Sequence, residues 1–524
     1  MAIVPADLDA RPRRGVAAEP SRAPAPAALK VVQAATTVTI LQVSILVVML
    51  TRSKLTAVLL GPEGVGIVGT FDQLVQFVAQ LSAFSLISAP SRFIARAALE
   101  RGKAVASTYE ALFKLLLLTT AIGTLGTILV LRLEPHILGR ALHEYGRLTL
   151  LVLTTVPVVA FSGFYANVAA AATGYKTATV YLFVAAVVAL ISALLGIRTG
   201  GIPGLYVANL IGTGALVLAF AAYLHRKAHL KLHQRGFSLW TVFQRWPDLL
   251  PYCSTTYVLS FAQPLAFLIV RGAVVKSLGA AQAGYFQAAF AVSSIASMVL
   301  MQLIRTYLEP KVNGVGSARG KIDAANEFQR SFCVLVMLGS LPIVLFPREL
   351  VSILYTRQFA PISPVLYLFV VADCVFLSSQ VYATAIMALD DFRAYFQIHL
   401  AGLVVLSGLV WTLTPRFGLP SVAWSFLASR CLVFGLIQFA LRRRHGLGMT
   451  RQVGGTLAYA VGAPVVVALA LGTPSFSGIA SYSIRAGLWM TIALGTLGLL
   501  TRTERTWLIG MGRSLFARPN GGIV

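Results

Sequence analysis

The chain carries the same glycine-containing pattern twice, at a nearly constant distance along its length. The first copy is KLTAVLLGPEGVGIVG, which begins at Lys54, and the second is KSLGAAQAGYFQ, which begins at Lys276. Repeated halves are typical of secondary transporters, so four matches in register indicate a tandem duplication. The matches are Leu60-Gly61 with Leu278-Gly279, Gly66 with Gly284, Arg101-Gly102-Lys103 with Arg319-Gly320-Lys321, and Gly201-Ile202-Pro203 with Gly418-Leu419-Pro420.

Composition places this duplicated chain in a membrane. Hydrophobic residues make up 57% of the 524 residues, and charged residues only 12%. A soluble protein of this size needs far more surface charge, so we predict a polytopic membrane protein. The four cysteines show no CxxC spacing, the seven histidines form no ligand cluster, and no GxxxxGKS or GxxxxGKT loop occurs. We therefore expect no metal, no cofactor and no enzymatic chemistry.

The hydropathy pattern predicts an all-α fold of two six-helix bundles related by the internal repeat, with two extra C-terminal helices and about 14 transmembrane helices in all. The expected parts are a disordered basic tail (1–30), an N-lobe of helices 1–6 (31–224), a basic amphipathic linker (225–250), a C-lobe of helices 7–12 (251–445), helices 13–14 (446–502) and a C-terminal tail (503–524). The predicted spans are 31–50, 66–88, 106–131, 147–171, 178–197, 202–224, 251–275, 284–308, 326–346, 364–388, 394–414, 418–441, 453–472 and 483–500.

The basic residues predict the orientation. With the N-terminus inside, the inner segments hold 29 of the 43 lysine and arginine residues, the outer loops hold 11, and three lie inside helices. Both termini and the linker are therefore expected on the cytoplasmic side of the membrane. The net charge of +25 then faces the anionic lipids of the inner leaflet, and it does not indicate a nucleic-acid partner.

Polar side chains inside the spans predict surfaces that face protein or water, because such groups are costly in lipid. Glutamines concentrate in the first two helices of each lobe, where we expect them to line a cavity. Hydrogen bonding between helices is the alternative explanation for each of them. The glutamines concerned are Gln33, Gln73, Gln76, Gln80, Gln263, Gln287 and Gln302.

Basic residues at matching places of the two halves suggest a site for a diphosphate. Arg52 and Arg271 precede Gly61 and Gly279 at nearly the same spacing, which we interpret as positions near the outer ends of helices 1 and 7. A guanidinium fork suits phosphate oxygens, whereas snorkelling at a helix end is the alternative explanation. Four further residues complete the predicted diphosphate set: Lys54, Arg92, Arg96 and Arg305. The last three are expected at the inner ends of helices 2 and 8, where they either form an entry vestibule or are ordinary positive-inside residues.

Three further charged residues fall inside the predicted spans. Asp373, near the middle of helix 10, and Arg430, near the middle of helix 12, are expected to pair because an isolated charge in a membrane is costly. The pair is either structural or involved in ion coupling. Asp72 in helix 2 is the other candidate for coupling to a proton or cation.

The segment 54–84 resembles the opening of Wzx-type O-antigen translocases and of the enterobacterial-common-antigen lipid flippases, in the polysaccharide-transporter branch of the MOP superfamily. The shared pattern is Lys-x-x-Ala-x-x-x-Gly-Pro-x-Gly. The likeness is sharpest over residues 31–110 and looser to about residue 445. It implies a V-shaped, MATE-like pair of six-helix bundles. Here the pattern is Lys54, Ala57, Gly61, Pro62 and Gly64, with Gly66 completing the hairpin motif.

The same resemblance implies a function and partners. The implied function is to move an undecaprenyl-diphosphate-linked oligosaccharide across the inner membrane by alternating access. The lipid-linked oligosaccharide and membrane lipids are the implied ligands, with a polysaccharide polymerase and chain-length machinery as candidate protein partners. The tail and the two extra helices depart from the family, and fourteen helices are similar to those of lipid II flippases.

Two functions of other classes remain open beside the flippases. A MATE-like cation-coupled antiporter favours an acidic cavity, whereas the expected cavity holds Asp72 against Arg52 and Arg271, which suits an anion. A membrane-embedded glycosyltransferase needs a large outer domain or catalytic acids in an outer loop. The longest outer loops, 132–146 and 347–363, hold only Glu134, Glu144 and Glu349.

Overall fold

A computed structural model describes residues 25–99, 103–133, 146–227, 249–471, 483–485 and 487–492. Within these ranges the regular structure is helical, including a π-helix (Ile304–Leu308) that continues α8 and a 3-10 helix (Arg357–Ile362) before α12. The α-helices are α1 (Ala25–Ala83), α2 (Ala89–Leu99), α3 (Lys103–Leu133), α4 (Gly146–Leu153), α5 (Val156–Ala172), α6 (Tyr175–Lys227), α7 (Leu249–Leu278), α8 (Ala280–Leu303), α9 (Glu309–Asn313), α10 (Ala318–Leu345), α11 (Pro347–Leu354), α12 (Ser363–Ala388), α13 (Phe392–Phe417), α14 (Leu419–His445) and α15 (Arg451–Leu471).

α1 and α6 each consist of two helices joined at a glycine. A straight helix of the 59 residues of α1 would be about 90 Å long, three times the thickness of a bilayer core. Both helices instead fold back, since Arg52 forms an ion pair with Asp72 across the turn of α1, and Gly196 packs on the backbone of Gly204 across the turn of α6. We refer to residues 25–60 and 62–83 as the first and second arms of α1, and to residues 175–199 and 202–227 as those of α6.

The described ranges contain ten helices that are long and apolar enough to cross a membrane. Because α1 and α6 contribute two arms each, these correspond to twelve crossings, which match predicted helices 1–12, and α15 matches the thirteenth. Many apolar side chains on the outside of the bundle are exposed, such as Leu125, Ile211 and Leu218, as expected for a surface covered by lipid. The prediction of an all-α, multi-pass membrane protein is confirmed.

The internal repeat is present in the backbone as well as in the sequence. Gly61 and its match Gly279 have φ of +66° and +91°, and Gly201 and its match Gly418 have φ of +59° and +66°. A residue without Cβ adopts these values readily, so each glycine ends one helix and lets the next begin at once. Any two of these four turns are separated by an even number of membrane crossings. All four therefore lie at the same end of the bundle, called here the glycine-turn end.

Three boundary predictions need correction. The turn predicted over residues 51–65 is reduced to Gly61, because the first arm of α1 runs on to residue 60 and the second begins at Pro62. Residues 25–30 belong to α1 and not to a disordered tail. Residues 225–227 and 249–250 extend α6 and α7, while the rest of the predicted linker, residues 1–24, the C-terminal tail and half of predicted helix 14 lie outside the described residues.

The two lobes meet through a backbone contact at the glycine-turn end. A Cβ on Gly66 would collide with the carbonyl oxygen of Ala280, and a Cβ on Gly284 would collide with the carbonyl oxygen of Pro62. Pro62 and Ala280 are themselves equivalent positions of the repeat. The contact of Gly66 with Ala280 is therefore repeated, with the two halves exchanged, as the contact of Gly284 with Pro62. A pseudo-two-fold axis therefore passes between the second arm of α1 and α8.

Each lobe has its own apolar core. The core of the C-lobe is one large cluster in which Phe286, Phe369 and Phe426 are fully buried and pack with ring centroids about 6 Å apart. The part of the N-lobe away from the glycine-turn end is built around the buried rings of Tyr109 and Phe164. The two cores meet at the lobe interface, because Ala57 and Val65 of α1 belong to the C-lobe cluster and Leu249 and Cys253 of α7 belong to the N-lobe cluster.

Candidate functional site

The two arginines proposed for a diphosphate lie well inside helices. Arg52 and Arg271 are each more than two helical turns before Gly61 and Gly279, so each is about 12–14 Å along its helix from the glycine-turn end. Both arginines therefore lie within candidate membrane spans, Ile40–Ala83 and Tyr257–Leu278. The predicted helices end at residues 50 and 275, whereas the first arm of α1 and α7 continue to residues 60 and 278, so both arginines lie farther from a helix end than predicted.

Asp72, in the second arm of α1, connects the arginines to a tyrosine. Its Oδ2 lies 3.9 Å from Nη2 of Arg52, and its Oδ1 accepts a hydrogen bond of 3.0 Å from the hydroxyl of Tyr206 in the second arm of α6. The same carboxylate acts electrostatically on Arg271 across the lobe interface. We define the arginine cluster as Arg52, Asp72, Tyr206, Arg271 and Gln287.

Arg271 is the buried arginine of this cluster. Only 5% of the residue is exposed, its Nη2 donates to Oε1 of Gln287, and its guanidinium lies 5.6 Å from the ring centroid of Phe286. Its Nε and Nη1 have no hydrogen-bond partner among the described residues. A buried guanidinium with two unused donors is costly, so this position favours an anion that supplies acceptors.

The guanidinium of Arg271 lies close to the pseudo-two-fold axis. Gly69 and Gln287 are equivalent positions of the repeat, and a Cβ on Gly69 would lie 2.6 Å from Nη1 of Arg271 and 3.4 Å from the side chain of Gln287. At this position the N-lobe has a glycine without a side chain, and the side chains of Arg271 and Gln287 from the C-lobe occupy the space. The result is an asymmetric site on the same interface as the symmetric contact of Gly66 with Gly284.

The arginine cluster has an excess of positive charge at membrane depth. Two guanidinium groups face one carboxylate, and 45% of the Asp72 side chain and 29% of the Arg52 side chain are exposed. The net positive charge favours a multivalent anion over a cation, and the exposed parts of Asp72 and Arg52 leave the cluster accessible to it.

The other four residues of the predicted diphosphate set lie elsewhere. The ammonium group of Lys54 donates a 2.7 Å hydrogen bond to the carbonyl oxygen of Ile353, in the last turn of α11, and so connects the lobes at the glycine-turn end. Arg92 and Arg96 are exposed on α2, and Arg305 is exposed on the π-helix. These three lie beyond the ends of the second arm of α1 and of α8 that are farther from the glycine turns, so of the six residues the structure brings only Arg52 and Arg271 together.

The glutamines predicted to line a cavity differ in their surroundings. Nε2 of Gln73 donates to the carbonyl oxygen of Pro264 at 3.1 Å. This is a hydrogen bond between helices of the two lobes, which was the alternative explanation for these glutamines. The side chain of Gln287 accepts a hydrogen bond from Arg271. The side chain of Gln33 lies outside the described residues. The others are exposed or half-buried within the membrane-spanning part: Gln76, Gln80, Gln263 and Gln302.

Asp373 and Arg430 pair as expected from the cost of isolated charges. Nη2 of Arg430 lies 3.4 Å from Oδ1 of Asp373, and Ser294 Oγ donates to Oδ2 of Asp373 at 3.5 Å. The guanidinium also lies 4.0 Å from the ring centroid of Phe376. This pair joins α8, α12 and α14 inside the C-lobe, and its role in coupling stays a prediction.

Two members of the site were not recognised from the sequence. Tyr206 is a single aromatic residue in an apolar span, and its partner Asp72 is 134 residues away. Gly69 belongs to the glycine-rich stretch but not to the repeated pattern, because its match is Gln287. The only sequence signal for either is that Tyr206 follows the repeated Gly201 by five residues.

Comparisons with solved structures identify the fold. An inward-facing multidrug resistance MATE family transporter of the MOP superfamily aligns with a TM-score of 0.63 and 13% identity, covering 78% of this chain and 99% of that one. The lipid II flippase MurJ in an inward closed conformation aligns with a TM-score of 0.63 and 10% identity, covering 88% and 97%. A point mutant of the MATE transporter VcmN from Vibrio cholerae aligns with a TM-score of 0.54 and 16% identity, covering 78% and 95%.

These identities are low, so the likeness establishes the fold alone: the chain has the fold of MOP-superfamily transporters. No protein-family profile matches the sequence. No curated protein sequence matches it either.

Proposed function

We propose that the chain is a flippase that moves an undecaprenyl-diphosphate-linked oligosaccharide across the bacterial inner membrane by alternating access of its two lobes. The observation that carries this proposal is the guanidinium of Arg271, which is buried between the lobes with Nε and Nη1 lacking partners among the described residues. A diphosphate offers several oxygens to such a fork, and Arg52 offers a second guanidinium beside Asp72.

The charge of the arginine cluster argues against a cation-coupled drug antiporter. A cationic substrate requires carboxylates, and the one carboxylate of the cluster, Asp72, is already engaged by Tyr206 and Arg52. A lipid-linked diphosphate also explains why the arginines lie at membrane depth. Its prenyl chain can remain in the bilayer while the charged group crosses between the lobes.

The proposal includes the orientation predicted from the basic residues, with both termini in the cytoplasm. Arg92, Arg96 and Arg305 then lie on the cytoplasmic side, where the lipid-linked substrate is loaded. The glycine-turn end, held by Gly66 and Gly284, lies on the outer side and opens for release.

A lipid II flippase is the second candidate. One of the similar folds is that of a lipid II flippase, and the diphosphate chemistry of the arginine cluster suits lipid II as well as a lipid-linked O-antigen or exopolysaccharide unit. The two differ in the glycan, since that of lipid II carries a peptide.

Mass spectrometry of lipid that co-purifies with the protein tests the proposal. We expect a polyprenyl-diphosphate glycan with the wild-type protein purified in mild detergent, and its loss from the Arg271→Met variant. The matched control is Arg393→Met, which removes an exposed arginine outside the arginine cluster. A peptide on the glycan identifies lipid II. Absence of any such lipid, together with saturable binding of organic cations, contradicts the flippase and favours the antiporter.

A further inference from the structure

Tyr206 is placed to control how strongly Asp72 screens the arginines. The residue is 2% exposed, and its ring packs edge-on against Phe71 with the centroids 6.3 Å apart, so its position is fixed. Its hydroxyl lies 3.0 Å from Oδ1 of Asp72 and 3.2 Å from the carbonyl oxygen of Val68. Neither acceptor can donate, so the hydroxyl proton serves these two atoms.

The hydrogen bond from the Tyr206 hydroxyl matters more to the carboxylate of Asp72 than to the carbonyl of Val68. The carbonyl of Val68 lies within α1, where it accepts the N–H four residues on, so it remains paired if Tyr206 is altered. The carboxylate of Asp72 is charged and its bond from Tyr206 is the stronger, since bonds to an ionised acceptor exceed those to a neutral one. The hydroxyl therefore acts mainly on Asp72.

The distance between Asp72 and Arg52 indicates what this restraint does. Their closest atoms are 3.9 Å apart, which is an ion pair without a direct hydrogen bond. A carboxylate free to turn toward a guanidinium forms two bonds of about 2.8 Å to it. Held by Tyr206, Asp72 stays short of that contact and leaves the N–H groups of Arg52 available.

We infer that Tyr206 is a positioning residue of the anion site, which keeps Asp72 from closing on Arg52 and so keeps both arginines available to a lipid-linked diphosphate. This inference rests on the proposed function. The hydroxyl of Tyr206 is bonded to Asp72 and Val68, so it acts on the arginines through Asp72. The hydroxyl thereby sets the affinity for the anion, while the arginines supply the binding contacts.

Binding of undecaprenyl diphosphate to the purified full chain tests the inference. Tyr206→Phe removes one oxygen and keeps the ring, and we expect it to weaken binding about tenfold. Asp72→Asn removes the competing charge and is expected to bind more tightly than wild type. In the Asp72→Asn background, Tyr206→Phe is expected to have no further effect. The matched control is Tyr181→Phe, another buried N-lobe tyrosine whose hydroxyl meets Ser162 at 2.9 Å.

The outcomes separate the inference from the proposed function. Wild-type affinity in Tyr206→Phe, an equal loss in the Asp72→Asn background, or weaker binding by Asp72→Asn alone would each overturn the positioning role and leave the flippase standing. If the wild-type protein fails to bind undecaprenyl diphosphate, the proposed function is wrong and the inference with it. A monodisperse elution profile establishes folding for each variant, and Asp72→Asn tests the competition even where Tyr206→Phe does not fold.

Discussion

Gly66 and Gly284 occupy equivalent positions of the internal repeat and pack backbone against backbone across the lobe interface. A Cβ on Gly66 would lie 2.7 Å from the backbone nitrogen of Gly284, and a Cβ on Gly284 would lie 3.1 Å from that of Gly66, with the opposing carbonyl oxygens closer still. No side chain fits there, so the lobes approach as closely as two helices can. The proposed alternating access requires this contact to open.

Alanine at this contact should shift the lobes apart at the glycine-turn end. In Gly66→Ala together with Gly284→Ala, each new methyl must move by more than about 1 Å to reach ordinary van der Waals contact. We expect a longer distance between spin labels at residues 63 and 281, which are exposed and equivalent in the repeat, in a protein without its native cysteines. Gly272→Ala is the control, because its Cβ meets nothing within 4 Å. An unchanged distance would show that the helices absorb the methyl groups locally.

Replacing Arg271 by methionine should separate function from stability. The guanidinium is buried with two unpaired donors, so we expect Arg271→Met to raise the free energy of unfolding by about 1–3 kcal/mol while transport is lost. The comparison is Arg430→Met, which strands the buried carboxylate of Asp373 and should lower stability by about 3–5 kcal/mol. Thermal unfolding in detergent and transport in proteoliposomes measure the two effects. A loss of stability in Arg271→Met as large as that in Arg430→Met would make the first arginine structural as well.

The pair of Asp373 and Arg430 permits a test of structural against coupling roles. Asp373→Asn leaves Arg430 buried without its counter-ion, so we expect a lower unfolding temperature and reduced expression. The double variant Asp373→Leu with Arg430→Met replaces both charges by apolar groups and should recover most of the stability. Normal stability of Asp373→Asn combined with lost transport would instead assign the carboxylate to ion coupling.

The helix architecture was predictable because it depends on long apolar runs and on repeated glycines. The repeat identified Gly61, Gly201, Gly279 and Gly418 as turns, and all four have positive φ. The cost of an isolated charge in lipid was enough to pair Asp373 with Arg430. These features follow from local composition and from constraints that apply to any membrane helix.

The course of helix 1 through Arg52 was not predictable, because polar residues in an apolar span usually indicate its end. The structure gives each of these residues a partner. Thr51 and Thr56 donate to the carbonyls of Val47 and Arg52 within the helix, and Lys54 reaches Ile353 in the other lobe. The last contact joins residues far apart in the chain, and no local pattern in the sequence encodes it. The hydrogen bond of Tyr206 with Asp72 was not predictable either, because it too joins residues far apart in the chain.

The loop before α13 should make a small contribution to stability that is lost in acid. Asp391 accepts the backbone N–H of Ala394, and its carboxylate is held by Nη1 of Arg444 at 2.8 and 3.0 Å and by Nε2 of His445 at 3.6 Å. Partial burial alone would raise the pKa of Asp391, but the N–H, Arg444 and His445 outweigh it and lower the pKa below its ordinary value of 3.8. The stabilisation is therefore fully present above that value and is lost as the pH falls below it through the folded-state pKa.

Asp391→Asn isolates this effect, because asparagine can still accept the N–H of Ala394 at the helix N-terminus but carries no charge. Arg444 is nearly half exposed, so we expect the variant to lose less than about 1 kcal/mol at pH 7. The difference in unfolding temperature between wild type and variant should shrink as the pH is lowered from 6 toward about 3, since protonation makes the two side chains alike. A difference that stays constant over this range would mean that the variant acts through the cap or the packing and not through the charge.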